Sequence, residues 1–345
     1  MFTDISVVFL VVTGLLREVR SDPREISLSD SLARMIALRP SYVNYIPSIA
    51  YQWEQRTRSE QDQFVEDQKY ERQVELALAE VLCRLTGSGQ AQMFLVRASV
   101  FGLPSHDNLK FYDNFILSYD NRLKHPVWSL EHLTRWDFRG LTAKLPPKKR
   151  RLVPDSIIHK LARANYRDYK KTEYERCHLA ALSNYRFNQK ALDQSFRMTN
   201  TAPQAASLNQ KGGVWHRLDG YVDFLAARSE NIYVVTGTMY KPPRDLTDLR
   251  HRTLGSNRIG VPTHFYKVIL SEDAEGEMSV EVFGIPNTPR ITESEKLDRF
   301  RIDIANIDRL EEAVGLRFFD VLDWSKIIKL TAYQYDYEEP LGKSI

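Results

Sequence analysis

Short runs of β-branched and aromatic residues begin near residue 100 and constrain the fold more than any other feature of the sequence. Polar or glycine-containing breaks separate these runs, which is the pattern of short β-strands. Helical patterns lie between them, notably around residues 207–228 and 306–314. This mixture predicts an α+β fold, with a mixed or antiparallel β-sheet core flanked by helices. The runs are NFILSYD, PVWSLEHLT, NIYVVTGTMY, FYKVILSED and SVEVFGI.

The chain has 345 residues, enough for one large domain or two ordinary ones. Residues 53–86 carry apolar side chains at three- and four-residue spacing, with charges between them. This spacing predicts a long helix that packs against the protein or binds a partner. We therefore expect four parts: an apolar N-terminal segment over residues 1–20, a helical extension over 21–98, a main domain over 99–330 and a C-terminal tail over 331–345.

The apolar run ISVVFLVVTGLL, residues 5–16, is the one stretch of sequence that could contact a membrane. A membrane span needs about 20 apolar residues, so this run is too short for a comfortable span. Asp4 precedes the run and no basic residue does, which fits neither a secretory signal nor an arginine-rich presequence. A targeting segment and a short anchor or buried segment both remain open.

Charge and cysteine content exclude few classes of function. The formal net charge of +3 neither demands nor forbids nucleic-acid binding, which must be argued from local clusters. The densest basic cluster, PPKKRR at residues 146–151, is typical of a solvated loop, a nucleic-acid contact or a nuclear import signal. Cys83 and Cys177 are the two cysteines, and they build no disulfide framework, which favours a reducing compartment.

Several familiar catalytic signatures are missing from the sequence. It has no G-x-x-x-x-G-K-S/T phosphate loop, no G-x-G-x-x-G turn, no H-E-x-x-H pair and no paired C-x-x-C. The sequence therefore contains no familiar nucleotide-binding, zincin or zinc-ribbon signature.

One group of polar residues remains, and its chemistry fits phosphodiester hydrolysis. It consists of Arg176, His178, Asn200, Asn209 and Asp219. An imidazole can take a proton from water at neutral pH, and oxygen ligands can hold Mg²⁺ together with its water shell. An arginine can offset charge that grows on a phosphate. A histidine in a segment such as YERCHLA is nevertheless more often a packed core residue, so this segment alone leaves both interpretations open.

The wider pattern around these residues resembles a known family. ERCHLAALSNYRFNQKALDQSFRMTNTAPQ, followed by LNQ, is similar to the D-R-G-H-x-A, S-N-x-x-P-Q and L-N-Q signature of the DNA/RNA non-specific endonucleases, the ββα-metal nucleases. FGLPSHDNLKFYDNFILSYDNRLKHPVW, NIYVVTGTMY, VPTHFYKVIL and IPNTP resemble segments of the endonuclease G-like branch. The resemblance covers residues 99–325 and implies that the main domain is a nuclease domain with a ββα-metal motif.

The resemblance also implies a role for each polar residue. His178 matches the general base, and Arg176 matches the arginine that faces the phosphate. Asn200 matches the asparagine of the S-N-x-x-P-Q element and is counted among the catalytic residues. Asn209 matches the direct ligand of Mg²⁺, and Asp219 matches a glutamate that holds metal-bound waters. Further implications are DNA and RNA as substrates, Mn²⁺ as a possible substitute for Mg²⁺, a homodimer, and a mitochondrial location with the nucleus as the alternative.

The sequence departs from the family signature beside the general base. Glu175 and Cys177 stand where the signature has aspartate and glycine, so the motif reads E-R-C-H. A glycine often permits close approach of the backbone, so we expect the Cys177 side chain to shift His178 or narrow the groove. Asp219 is also one methylene shorter than the glutamate it matches.

An insertion lies next to the expected metal ligand. The residues KGG, 211–213, make the step from Asn209 to Trp215 two residues longer than in the family. The step from Gln204 to Asn209 keeps the usual length, which favours Asn209 over Lys211 as the ligand. We expect the two glycines to form a bulge that absorbs the insertion.

The residues before the insertion predict a helix. Ser207 is a good N-cap residue, and a helix that begins near Leu208 would place Asn209 in its first turn.

Two functions follow from these observations. The first is a Mg²⁺-dependent, sugar-nonspecific endonuclease that hydrolyses the phosphodiester bonds of DNA and RNA, and the intact pair of His178 and Asn209 favours it. The second is a catalytically weakened paralogue that binds nucleic acid or a partner. Cys177 and the KGG insertion favour the second.

Overall fold

The computed structural model describes Phe94, residues 98–137, Ala143, residues 155–241, residues 251–324 and Ile327. Three features expected from the sequence lie outside these residues: the apolar run 5–16, the helix over 53–86 and the basic run 146–151. In the part that is described, no helix is both long enough and apolar enough to cross a membrane.

A seven-stranded β-sheet is the framework of the described residues. Its strands are β1 (Leu109–Phe111), β2 (Phe115–Asp120), β3 (His125–Leu133), β6 (Asn231–Met239), β9 (His264–Glu272), β10 (Met278–Pro286) and β11 (Arg301–Ile302). They lie side by side in that order, and every neighbouring pair is antiparallel. Each of the five apolar runs in the sequence forms a strand. The α+β prediction is therefore confirmed, with an antiparallel sheet.

Two small antiparallel hairpins, four α-helices and six short 3₁₀-helices are the other elements whose bounds the structure describes. The hairpins pair β4 (Tyr174–His178) with β5 (Thr201–Ala205), and β7 (Thr253–Leu254) with β8 (Ile259–Gly260). The helices are α1 (Gln189–Ser195), α2 (Ala206–Asn209), α3 (Val214–Ala226) and α4 (Ile307–Val314). Helix α2 follows β5 directly and packs against β4, β5 and α3. Two antiparallel strands followed by a helix form the ββα unit that the sequence predicts.

The main core lies between α3 and one face of the central strands. Trp215 and Leu218 of α3 are fully buried in the same cluster as Val234 of β6 and Ile269 of β9. The opposite sheet face is also covered, because Phe101 contacts Tyr233 with ring centroids 5.0 Å apart. Strands buried on both faces read as nearly continuous apolar runs, which explains the composition of β6 and β9.

The helical pattern over residues 207–228 is split into α2 and α3 by a loop over 210–213. Gly212 has a φ of +86°, which L-residues with side chains rarely adopt. A Cβ on Gly213 would lie 2.5 Å from the carbonyl oxygens of Ser207 and Leu208. The insertion is therefore accommodated as a tight loop between two helices, and both glycines are required by its geometry.

Candidate active site

The β4–β5 hairpin sets the directions of the motif residues. Its register places His178 opposite Thr201 and Cys177 opposite Ala202. Side chains two apart on a strand point to the same face, so Arg176 and His178 share one face and Cys177 points to the other. Arg176 and His178, which match the signature arginine and histidine, thus lie on the same face of β4.

Cys177 does not narrow the groove, contrary to our expectation. Its side chain is fully buried and belongs to the main core, with Leu179 and Trp215 among its neighbours. The thiol fills space under the hairpin because residue 177 alternates with His178 along the strand. Burial raises the pKa of Cys177 well above its ordinary value, so the side chain remains a neutral thiol at physiological pH.

His178 is partly buried at the end of β4, where its ring meets the edge of Phe196 at a centroid distance of 5.7 Å. Its Nε2 atom is buried and has no hydrogen-bond partner among the described residues. Burial, and to a smaller extent the nearby charge of Arg176, lower the pKa of His178 to about 4. The imidazole is therefore neutral at pH 7, which is the protonation state that a general base requires.

Arg176 is exposed on the same face, and its guanidinium lies 5.8 Å from the centre of the Tyr169 ring. An arginine over an aromatic ring is held in place by a cation–π contact while its donors remain accessible. Glu175 is exposed as well. Arg176 is thus a side chain available to an anion at this surface, two residues from the imidazole.

Asn200 is fully buried immediately before β5, and its side chain contacts the backbone. Its Oδ1 accepts a hydrogen bond from the backbone amide of Ala180 at 2.9 Å, and its Nδ2 donates to the carbonyls of Ala180 and Ser195 at 2.9 and 3.0 Å. The hydrogen bonds of its side chain therefore all go to backbone groups, of Ala180 just after β4 and of Ser195 at the end of α1.

Asn209 is the last residue of α2, and it is partly exposed. Its carboxamide makes no hydrogen bond with the residues that the structure describes. The predicted cap is wrong, because α2 begins at Ala206 and the Ser207 hydroxyl is buried without a partner within the described residues. The backbone amide of Ala206 instead donates to the carbonyl of Glu173, so the helix starts without a side-chain cap.

Asp219 lies on α3 and faces the central strands. Its Oδ1 is buried, 3.1 Å from Nζ of Lys267, while 23% of its side chain is exposed. Burial raises the pKa of Asp219, and the charge of Lys267 opposes that effect. The carboxylate is therefore shared between an inner contact with a lysine and an outer face towards solvent.

The residues present fit a hydrated oxygen-seeking cation. The described residues contain no group of three or more His, Cys, Asp or Glu side chains that could hold a metal. This part of the chain therefore has no ligand set of the kind that binds zinc. A single unpartnered carboxamide at Asn209, with a partly exposed carboxylate on the following helix, suits Mg²⁺, which keeps several waters. Second-sphere carboxylates commonly hold such waters.

Two further residues shape this region and were not singled out from the sequence. Asn287 accepts a hydrogen bond from the amide of Ala205 at 2.7 Å and donates to the carbonyl of Pro203 at 2.9 Å, which pins the free edge of β5. Lys267 is 1% exposed in the middle of β9. The signals in the sequence were a lone lysine within the apolar run FYKVIL and the asparagine of IPNTP.

The antiparallel sheet, the ββα unit and the paired arginine and histidine define a ββα-metal nuclease. The sequence model of the DNA/RNA non-specific endonuclease family matches residues 95–324. Human mitochondrial endonuclease G is 34% identical over 221 residues, 63% of this chain and 71% of that protein. The Caenorhabditis elegans mitochondrial endonuclease G is 31% identical over 234 residues, 66% of this chain and 73% of that protein.

The mitochondrial nuclease of Saccharomyces cerevisiae is 31% identical over 234 residues, 65% of this chain and 68% of that protein. A chain from the crystal structure of the EndoG/EndoGI complex is 30% identical, with a TM-score of 0.63, over 68% of this chain and 94% of that chain. The protein therefore belongs to the DNA/RNA non-specific endonuclease family, in its endonuclease G-like branch. It is a hydrolytic nuclease that acts on nucleic acids, and its family indicates a divalent metal.

Proposed function

We propose that the protein is a Mg²⁺-dependent, sugar-nonspecific endonuclease that cleaves DNA and RNA. The observation that carries this proposal is the neutral imidazole of His178 beside the exposed Arg176 on one face of β4, in a hairpin that leads directly to the unpartnered Asn209. His178, Arg176 and Asn209 are the residues proposed to perform the reaction. Mn²⁺ is proposed to substitute for Mg²⁺, since both accept oxygen ligands.

His178 acts as the general base. A water oxygen attacks the phosphorus while its proton passes to the imidazole. The bond from phosphorus to the departing sugar oxygen breaks, and that oxygen takes a proton from solvent and leaves as an alcohol. Because the pKa of His178 is about 4, almost all molecules carry the base form at pH 7.

Arg176 binds the phosphate and offsets negative charge that develops on it. Asn209 would hold the metal, and Asp219 would hold its waters. When bound, Mg²⁺ supplies further positive charge at the phosphate. Asn200 and Asn287 keep the two strands of the hairpin in register, so that the general base stays at a fixed position relative to α2.

We also propose a homodimer in mitochondria. The resemblance to the endonuclease G-like branch supports the dimer, and the names of the human, nematode and yeast relatives support the compartment. Analytical ultracentrifugation of the full chain tests the first, and fractionation of cells that express a tagged full-length chain tests the second. A monomer at micromolar concentration, or a tagged chain absent from the mitochondrial fraction, would contradict the respective proposal.

Supercoiled plasmid and a single-stranded RNA test the activity. Wild-type protein should convert both to products with Mg²⁺ and should leave both intact with EDTA. The matched control is His178→Ala, which should lower the cleavage rate by about 100-fold or more, since general bases contribute that much.

Binding without cleavage would select the alternative function. If wild-type protein retards both nucleic acids in a gel and cuts neither with Mg²⁺ or Mn²⁺, the chain is a nucleic-acid-binding paralogue. Cleavage of one sugar type alone would contradict the lack of sugar specificity.

A further inference from the structure

A buried group of charges lies between α3 and the central strands, and the proposed reaction does not use most of it. Lys267 of β9 is at its centre. We call the surrounding acids the inner carboxyl cluster, which consists of Glu131 on β3 and Asp219 and Asp223 on α3. Glu131 is fully buried, and Asp223 lies one helical turn beyond Asp219. Buried charges are costly unless they are paired, so this arrangement calls for a specific role.

The ammonium group of Lys267 is held from three sides. It donates a hydrogen bond to the Thr236 hydroxyl at 2.8 Å, lies 3.1 Å from Oδ1 of Asp219, and sits 4.9 Å from the centre of the Trp215 ring. Thr236 is directly opposite Lys267 in the β6–β9 ladder. Because Thr236 and the Trp215 ring both contact the ammonium group, its position is restricted.

Asp219 contacts the buried Lys267 and also lies partly at the solvent-exposed surface of α3. Its inner oxygen is buried against Lys267, whereas part of the side chain is exposed. An aspartate is shorter than the glutamate that the family signature leads us to expect. A shorter side chain tethered at one oxygen has few positions available, so its outer face is held in a single orientation.

Glu131 and Asp223 accompany this pair. Oε1 of Glu131 accepts hydrogen bonds from the Tyr185 hydroxyl at 2.7 Å and from Asn184 Nδ2 at 2.8 Å. Burial raises the pKa of Glu131 and the pKa of Asp223 to about 7. The charge of Lys267 opposes both shifts, and the carboxyl group in direct contact with its ammonium, at 3.1 Å, is Asp219.

We propose that Lys267 is the positioning residue for Asp219: it anchors the inner oxygen of the carboxylate, so that the outer face is presented to waters of a cation held by Asn209. This inference rests on the proposed function. Lys267 touches neither substrate nor cation and acts through Asp219. The contact also explains how an aspartate can serve at a position where the family signature has a longer acid.

Binding of Mn²⁺ in the absence of nucleic acid, followed by the electron paramagnetic resonance signal of free Mn²⁺, tests the proposal without relying on activity. Lys267→Met removes the ammonium and keeps an unbranched apolar stem. We expect it to weaken Mn²⁺ binding by about 10- to 100-fold, as losses of outer-sphere partners do. Lys296→Met, which changes an exposed lysine, is the matched control and should bind as wild type does.

A double-variant cycle separates positioning from general damage. Asp219→Asn should weaken Mn²⁺ binding to a similar extent, and Lys267→Met combined with Asp219→Asn should be no weaker than Asp219→Asn alone, because both changes remove one function. Additive losses would overturn the proposal. Equal Mn²⁺ affinity of wild type and folded Lys267→Met would overturn it as well.

A milder variant covers the case in which Lys267→Met fails to fold. Thr236→Val removes one hydrogen bond of the ammonium and leaves its charge, so Mn²⁺ binding should weaken by about 5-fold, the equivalent of one hydrogen bond. Unchanged affinity of a folded Thr236→Val protein would then overturn the inference. If wild-type protein itself neither binds Mn²⁺ nor cleaves, the proposed function fails; if wild type does both and the variants match it, only the role of Lys267 fails.

Discussion

Asn200 and Ala180 form a reciprocal pair: Oδ1 of the asparagine accepts from the Ala180 amide, and its Nδ2 donates to the Ala180 carbonyl, both at 2.9 Å. The pair joins the segment that leaves β4 to the segment that enters β5. It therefore fixes the end of the strand that carries His178. A third hydrogen bond, to the carbonyl of Ser195, leaves the Asn200 carboxamide fully engaged.

Asn200→Ala should destabilise the protein and slow cleavage without changing its dependence on Mg²⁺. The variant leaves buried backbone groups of Ala180 and Ser195 unpartnered, each at a cost of about 1–3 kcal/mol. Urea unfolding measures the loss. Asn306→Ala, at a position whose side chain caps no helix, is the control and should stay within about 0.5 kcal/mol of wild type. A stable Asn200→Ala protein with a large change in Mg²⁺ dependence would instead place Asn200 at the metal.

The cleavage rate should show an acid limb near pH 4 rather than near pH 6.5. The folded-state pKa of His178 is lowered to about 4, so the imidazole gains its proton only as the pH falls through that value. At pH 5.5 a histidine with an ordinary pKa would be about 90% protonated, whereas His178 should remain mostly neutral. The measurement is kcat/KM between about pH 3.5 and 8 at saturating Mg²⁺, over the range in which the protein remains folded. A rate that halves near pH 6.5 would show that the working base is solvated, or that it is another group.

Cys177→Gly should cost stability rather than improve catalysis. The thiol fills part of the main core, and its removal leaves a cavity and adds the backbone entropy of glycine, together about 2 kcal/mol. Cys177→Ala should cost about half as much, because the backbone term is absent. Cleavage per folded molecule should be unchanged in both. A loss of more than tenfold in that quantity, measured at a temperature where both variants are folded, would restore a role for the thiol in the site.

Asn209→Ala should abolish Mg²⁺-dependent cleavage, while Asp219→Ala should give a smaller defect. Asn209 is proposed as the only protein ligand, and a neutral carboxamide oxygen is a weak ligand whose loss leaves nothing in its place. Asp219 acts through water, so its removal should cost about 10- to 100-fold and be partly rescued by added Mg²⁺. The measurement is the cleavage rate as a function of Mg²⁺ concentration for wild type, Asn209→Ala and Asp219→Ala.

Lys211→Ala is the control for this titration. If the family pattern is aligned on Trp215 instead of Gln204, Lys211 takes the position of the metal ligand. This variant should titrate with Mg²⁺ as wild type does. If Asn209→Ala also titrates as wild type does, a residue other than Asn209 binds Mg²⁺, and this assignment of the site is wrong.

The helix around Asn209 shows where reasoning from the sequence ended. The periodic pattern over residues 207–228 indicated helix correctly, but the break between α2 and α3 follows from the close contact of Gly213 with the carbonyls of Ser207 and Leu208. The cap at Ser207 failed because the carbonyl that satisfies the first amide belongs to Glu173, more than thirty residues earlier in the chain. Rules for helix caps use neighbouring residues only, so they cannot predict a hydrogen-bond partner that is distant in the sequence.

By itself, the sequence determined five strands, the α+β class and the family, since apolar runs and ordered motifs are local properties of the chain; that every pair in the main sheet is antiparallel came from the structure. Tertiary structure alone decided which side of β4 faces the groove, because a strand alternates its faces and only the packed core shows that Cys177 points inward. It also decided which groups Asn200 and Lys267 contact. Each depends on hydrogen bonds or ion pairs between strands and helices that lie far apart in the chain, and pairings over such distances form only when the whole fold closes.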